Sequence, residues 1–344
     1  MSGELNRHER ELNRQPATAS SAWPRALALA LLLVAGGCSE TLDAGYNLPG
    51  GKLPVDQRNP IVLLNDGAYD NWSGEYAVLL ANGGGAPLAG IIVNANADWP
   101  DLQTNVGGYQ ALIDAARMSG LQGLPDPIAS SESPLVKPAS GLIEDTSPNR
   151  SAGAQFIVDI STRLASPHLP LVIATGGALT DVADAYLIDS TIASRIVVVS
   201  SLGSLTSSGG GMGLPNGDRD PWADFIVASR LSYVQVSAWY DQLTDVPMAK
   251  LTDLPMNALG AWMAAKQPNL WQWTAASDQV SVIAAGLPAF TTMVQRVSPS
   301  ASLAAGATAG PDLATNDAGA GWLVTGCDGA AATTQFWKVL DTTR

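Results

Sequence analysis

Cysteine, histidine and basic side chains are all scarce in this chain. Two cysteines, Cys38 and Cys327, stand among 344 residues, so no disulfide framework holds the fold. Of the two histidines, His8 lies near the N-terminus and His168 in the surface-like "SPHLP", which leaves zinc without a ligand set. Lys and Arg number 18 against 31 Asp and Glu, a formal net charge of −13. With no basic patch to neutralise phosphates, nucleic acid is excluded as a partner. Phosphate cradles are missing too: no Gly-Xaa-Gly-Xaa-Xaa-Gly opens a helix after a strand, and no Walker-type loop occurs. No internal repeat is present. What the chain does have is 46% apolar content, enough for one large core or two modest ones.

The N-terminus has its own logic. Arg25 precedes "ALALALLLVAGGC", an apolar run of about a dozen residues, too short to span a bilayer comfortably. It ends in Ala35-Gly36-Gly37 directly before Cys38. This resembles a bacterial lipoprotein signal, in which the cysteine is lipidated after cleavage; an ordinary secretory signal cut nearby is the alternative. The expected organisation is a signal over 1–37, a tether over 38–58 and a domain over 59–344. The tether reading rests on Gly, Pro and polar residues without periodicity. Ser39, where an Asp would favour inner-membrane retention, points to the outer membrane of the cell envelope, with a periplasmic location as the alternative. Cys327 is then a lone thiol, read as a buried small hydrophobe.

From residue 60 onward, short β-branched runs alternate with helical patterns. Strands are expected at 60–65, 89–95, 169–175, 195–201, 233–238 and 290–297. Between them, "SGEYAVLLAN", "GGYQALIDAARMSG", "AGAQFIVDISTRLA", "LTDVADAYLI" and "DPWADFIVASRL" space apolar residues at about 3.6. Near-continuous apolar strands alternating with helices predict an α/β fold, a single domain with a mostly parallel sheet covered by helices on both faces. Ligands in such sheets bind at the carboxyl ends of the strands. The residues there are Asp66 and Asp70, Asn94 and Asn96, and Thr175. The Gly/Ser-rich stretch 204–218 follows the fourth strand and is of the kind that closes over a site.

Asp66, Asp70 and Asn71 place three oxygen-bearing side chains on one turn. A hard cation such as Ca²⁺ takes such a set; a helix N-cap with a solvated Asp explains the same spacing. "LNDGAYDN" resembles the Asp-Thr-Asp-Pro-Gly-Xaa-Asp-Asp opening of the inosine-uridine-preferring nucleoside hydrolases. Further stretches are similar to that family in order: "GIIVNANADWPDLQTNVGGYQALIDAARMSG", "LVIATGGALTDVADAYLIDSTIASRIVVVSSLG", "NGDRDPWADFIVASRL" against Asn-Ile-Tyr-Val-Asp-Pro, and "SDQVSVIAAGLP". The resemblance covers about residues 58–344. It implies Asp66 as general base and calcium ligand. Asn71, the Thr175 carbonyl and Asp278 would be the further ligands. Asp70, Asn96 and Asn216 would hold the ribose hydroxyls, while calcium positions a water for attack on the N-ribosyl bond.

The departures bear on function. Leu64 stands for the first Asp of the motif, Asn71 for its last, Leu214 for a glutamate and Ser277 for a histidine that helps the leaving base. An amide offers one neutral oxygen where a carboxylate offers two, so calcium affinity should fall. A serine is a poor general acid. The resemblance therefore implies an envelope-anchored nucleoside hydrolase with weakened calcium-dependent activity, its alternative being a non-catalytic nucleoside- or sugar-binding lipoprotein. A periplasmic solute-binding protein ranks behind both, since two similar lobes are not visible. Trp99, Trp222 and Trp273 are each read as core or rim packing ahead of base stacking. Asp220 is read as the N-cap of the helix opening at Pro221.

Overall fold

The computed structural model describes residues 53–67, 87–201, 216–237, 252–270, 278–303, 306, 311 and 313–344. Residues 48–344 form one compact unit. Its centre is a nine-stranded sheet in the order β3-β2-β1-β4-β5-β6-β9-β7-β8. The strands are β1 (Ile61–Asn65), β2 (Leu88–Val93), β3 (Pro127–Ala129), β4 (Leu171–Thr175), β5 (Ile196–Ser201), β6 (Ser232–Val236), β7 (Thr291–Pro299), β8 (Leu313–Thr315) and β9 (Gly321–Cys327). Pairing is parallel from β3 through β9 along that order. β7 is antiparallel to both β9 and β8.

The helices are α1 (Leu102–Met118), α2 (Ala152–Leu164), α3 (Thr180–Ile188), α4 (Pro221–Arg230), α5 (Ala258–Leu270), α6 (Gln279–Gly286) and α7 (Gly329–Asp341). Strand periodicity divides the core into two layers, because successive side chains leave opposite faces. Ile61, Leu63, Ile91, Val93, Val172 and Ala174 face a layer made with α1, α5, α6 and α7. Val62, Leu64, Ile92, Leu171 and Ile173 face a layer made with α2, α3 and α4. Every residue of β1, β4 and β5 is buried, which is why these strands read as continuous apolar runs and not as alternation.

Local signals set the helix starts. The carboxylate of Asp101 accepts from Thr104 N at the head of α1, Ser151 Oγ from Ala154 N at α2, and Asp328 from Ala331 N at α7. Asp220 caps α4 through Ala223 N, with Pro221 at the first helical position, as expected. The α/β fold with a mostly parallel sheet stands as expected. The strand at 291–299 differs from the others. Thr291, Thr292, Gln295 and Arg296 leave it half-exposed, which suits an antiparallel strand near a sheet edge. The segment 53–58 was expected inside the tether; Leu53 and Val55 are instead buried against the core, and buried Asn59 donates to Pro170 O. Among the described residues no helix is long and apolar enough to cross a membrane.

Candidate functional site

The carboxyl ends of β1, β2, β4 and β5 bring together residues far apart in sequence. Asp66 follows β1 and is 2% exposed. Asn96 follows β2, and its Nδ2 donates to Asp66 Oδ2. Asn96 is held in turn by its own loop, where its Oδ1 accepts from Asp98 N at 2.9 Å and Trp99 N at 3.1 Å. From α1, Asn105 Nδ2 pins that loop through Trp99 O at 3.1 Å.

Thr175 is the last residue of β4, paired in register with Leu64 and Ser200. The chain then turns at Gly176 and Gly177 toward α3. A Cβ on Gly176 would lie 2.2 Å from Asp278 Cγ, and one on Gly177 would lie 3.0 Å from Asp66 N. Gly176 therefore lets the backbone pass against the Asp278 carboxylate, a close approach that a side chain would block, and Gly177 packs tightly on the backbone of Asp66.

Asp278 stands at the head of α6 and is buried. Its Oδ2 accepts from Asn65 Nδ2 at 3.1 Å and its Oδ1 from Asn216 Nδ2 at 3.0 Å. Asn216 also donates to Ser201 O, at 3.1 Å, so the end of β5 fixes its amide. Asn65 Oδ1 accepts from Gly67 N at 2.8 Å, which shapes the turn after β1.

A positive charge sits among these groups. Arg219, in the 3₁₀ turn Asn216–Arg219, places Nη1 2.6 Å from Asp66 Oδ2 and 2.6 Å from Asn216 Oδ1. Its Nε lies 3.3 Å from Asp98 Oδ2. The Arg219 side chain is 12% exposed. Burial works against its charge, yet Asp66, Asp278 and Asp98 outweigh burial and raise its pKa above the ordinary arginine value.

The structure thus joins Asp66, Asn96, Asn216 and Asp278 into one network and places Thr175 at the same edge. Asp70, Asn71, Leu214, Ser277, Trp273 and Cys38 lie outside the described residues. Asn94, just past the end of β2, reaches sideways. Its Nδ2 donates to Ala178 O at 3.0 Å and Asp181 Oδ2 at 3.2 Å, bracing the turn before α3. Trp222 belongs to the core, stacked on Phe225 with its Nε1 donating to Thr146 Oγ1 at 3.1 Å. Trp99 is partly buried in the loop beside Asn96.

Arg219 and Asn65 were missed in the sequence. The available signal for Arg219 was its alignment: it stands at the Val of Asn-Ile-Tyr-Val-Asp-Pro, where an apolar residue gives way to a guanidinium. Among the described residues, no group of three or more His, Cys, Asp and Glu could hold a metal ion. Among the described residues, three of the oxygens that would serve calcium face N–H donors. Asp66 Oδ2 meets Arg219 and Asn96, while Asp278 meets Asn65 and Asn216. This donor set fits a guanidinium and amides and does not fit Ca²⁺ beside them.

No family model matches the chain, and no curated protein does. Solved structures do. An inosine-uridine-preferring nucleoside hydrolase from Bacillus anthracis superposes with a TM-score of 0.60 at 12% identity, over 83% of this chain and 99% of that one. The purine-preferring ribonucleoside hydrolase of Gardnerella vaginalis gives 0.57 at 17% identity, over 82% and 98%. An inosine-guanosine nucleoside hydrolase gives 0.55 at 17%, over 82% and 98%. Likeness at these identities speaks for architecture, and the chain has the fold of the nucleoside hydrolases.

Proposed function

We propose that this protein is a nucleoside hydrolase-like protein whose strand-end site takes the ribose of a nucleoside and acts on its N-ribosyl bond. The observation that supports this most is the network of Asp66, Asn96, Asn216 and Asp278 at the carboxyl edge of this fold. Carboxylates accept from sugar hydroxyls and amides both donate and accept, so such a set suits a vicinal diol. The sequence resemblance adds Asp70 as a further hydroxyl acceptor. Asp66 is the group for drawing a proton from water. Ser277, in place of a histidine, leaves the departing base without a general acid, so turnover is slow.

A second reading, a nucleoside- or sugar-binding protein without turnover, is favoured by one observation. Asp66 Oδ2 accepts from both Arg219 and Asn96, so those lone pairs are committed before any water arrives. One experiment separates the two. The purified chain is incubated with a panel of nucleosides, and base release is followed with binding measured in parallel. Base release above buffer that disappears in Asp66→Ala supports the hydrolase. Saturable binding with no release supports the binding protein.

In either case we place the protein at the bacterial cell envelope, held by lipid on Cys38. Metabolic labelling with palmitate tests this: label and membrane fractionation are both lost in Cys38→Ser.

A further inference from the structure

We propose that Arg219 takes the place of a divalent cation at this site, so that its buried carboxylates are held together without calcium. The inference rests on reading the strand ends as a nucleoside hydrolase-like site, and it concerns what charge that site is built around.

The physical need is plain. Asp66 and Asp278 are both buried, on either side of the Gly176-Gly177 turn. Two buried carboxylates that both act on Arg219 need a positive charge or strong donors around them. The acidic chain supplies few cations for this, and one of them is used here. Arg219 Nη1 meets Asp66 Oδ2 at 2.6 Å, Nε faces Asp98 Oδ2 at 3.3 Å, and the charge also acts on Asp278. The link to Asp278 is completed by Asn216, whose Oδ1 accepts from Arg219 while its Nδ2 donates to Asp278 Oδ1.

Arginine suits this post better than lysine. Its planar fork offers several donors in fixed directions and stays protonated when buried. The turn that carries it is anchored at both ends. Asn216 is tied to Ser201 O at 3.1 Å. Asp220 caps α4 and accepts from Thr180 Oγ1 at 2.7 Å and Leu135 N at 2.8 Å. The guanidinium is therefore delivered by rigid backbone, as a bound cation would be held by its ligands. The substitutions read in the sequence fit the same account. Leu64 and Asn71 each remove a carboxylate from the motif, so a single fixed positive charge has less to balance. The ligand class that follows is a neutral polyol gripped by oxygen and amide groups.

Arg219 acts through Asp66 and Asn216 and is a positioning residue. The test therefore reads metal dependence as well as stability. Thermal unfolding of the full chain, Arg219→Lys and Arg219→Gln is followed in chelator and in millimolar calcium, with calcium binding to the wild type titrated by calorimetry. Wild type and Arg219→Lys are expected to melt at the same temperature in both conditions. Arg219→Gln is expected to melt lower in chelator and to recover in calcium, because the emptied post again accepts a cation. Stoichiometric calcium binding by the wild type overturns the proposal. So does Arg219→Gln melting like wild type in chelator, or a loss that calcium does not reverse. If Arg219→Gln does not fold, the wild-type titration alone decides. None of these measurements involves a nucleoside, so a failed nucleoside assay leaves the outcome standing.

Discussion

A buried carboxylate needs donors or a cation around it, and this protein supplies them in three ways. Asp66 uses the Arg219 guanidinium. Asp181 uses neutral donors, accepting from Ser130 Oγ at 2.6 Å, Ser131 Oγ at 2.9 Å, Ser151 Oγ at 2.7 Å and Asn94 Nδ2 at 3.2 Å. Asp220 caps a helix, and burial raises its pKa above the ordinary 3.8 against the pull of Leu135 N, Ala223 N and Thr180. A raised carboxyl pKa means that the folded state binds the proton more readily than the unfolded one. Its contribution to stability is present in full below the ordinary value and is lost as pH rises through the folded pKa. Wild type should therefore gain stability relative to Asp220→Asn on going from neutral pH to about pH 4, read by urea unfolding; the opposite slope contradicts the assignment. Cys327 makes a second residue-scale case. Burial first, then Asp328, lifts its thiol to about 11. Near pH 8 its alkylation should run about a hundredfold slower than that of the denatured chain, since only the thiolate reacts. Motif order singled out Asp66 and Asp278 as candidates. It did not single out Arg219, because a lone basic residue in "NGDRD" carries no spacing rule and its meaning comes from three strands and a helix meeting around it.

At the scale of elements, the turns after the strands matter more than the strands themselves. The Gly176-Gly177 turn leads from β4 to α3 and leaves no room for a Cβ beside Asp278. Gly176→Ala should cost about 1–3 kcal/mol by overpacking. It should also weaken ligand binding more than a surface Ala substitution of equal stability cost, because Asp278 is the atom group displaced; calorimetry on both variants checks it. Periodicity made α1 to α4 and the central parallel strands readable. "LVIAT" and "IVVVSS" are apolar throughout because helices cover both faces. It did not reveal β9, whose "GWLVTGC" mixes glycine and polar residues, or the reversal of β7 against it. Strand direction is a property of where the connection returns, and no local pattern in "TTMVQRVSP" encodes that.

For the whole molecule, the parallel sheet gathers Asp66, Asn96, Asn216 and Asp278 from four distant stretches to one edge, as the strand-end rule requires. The fold was readable because alternation of helix and strand is repeated along the chain, although identity to the solved structures of this fold is only 12–17%. The chemistry was less readable because the charge that meets Asp66 comes from Arg219, in the turn before α4 and far away in sequence. The most direct measurement is calorimetric titration of the full chain with nucleosides and free ribose in the presence of a metal chelator. Saturable nucleoside binding that persists in chelator and is abolished in Asp66→Ala is the result this account predicts. Absence of binding by every nucleoside and by ribose, or binding that appears only when calcium is supplied, would contradict it.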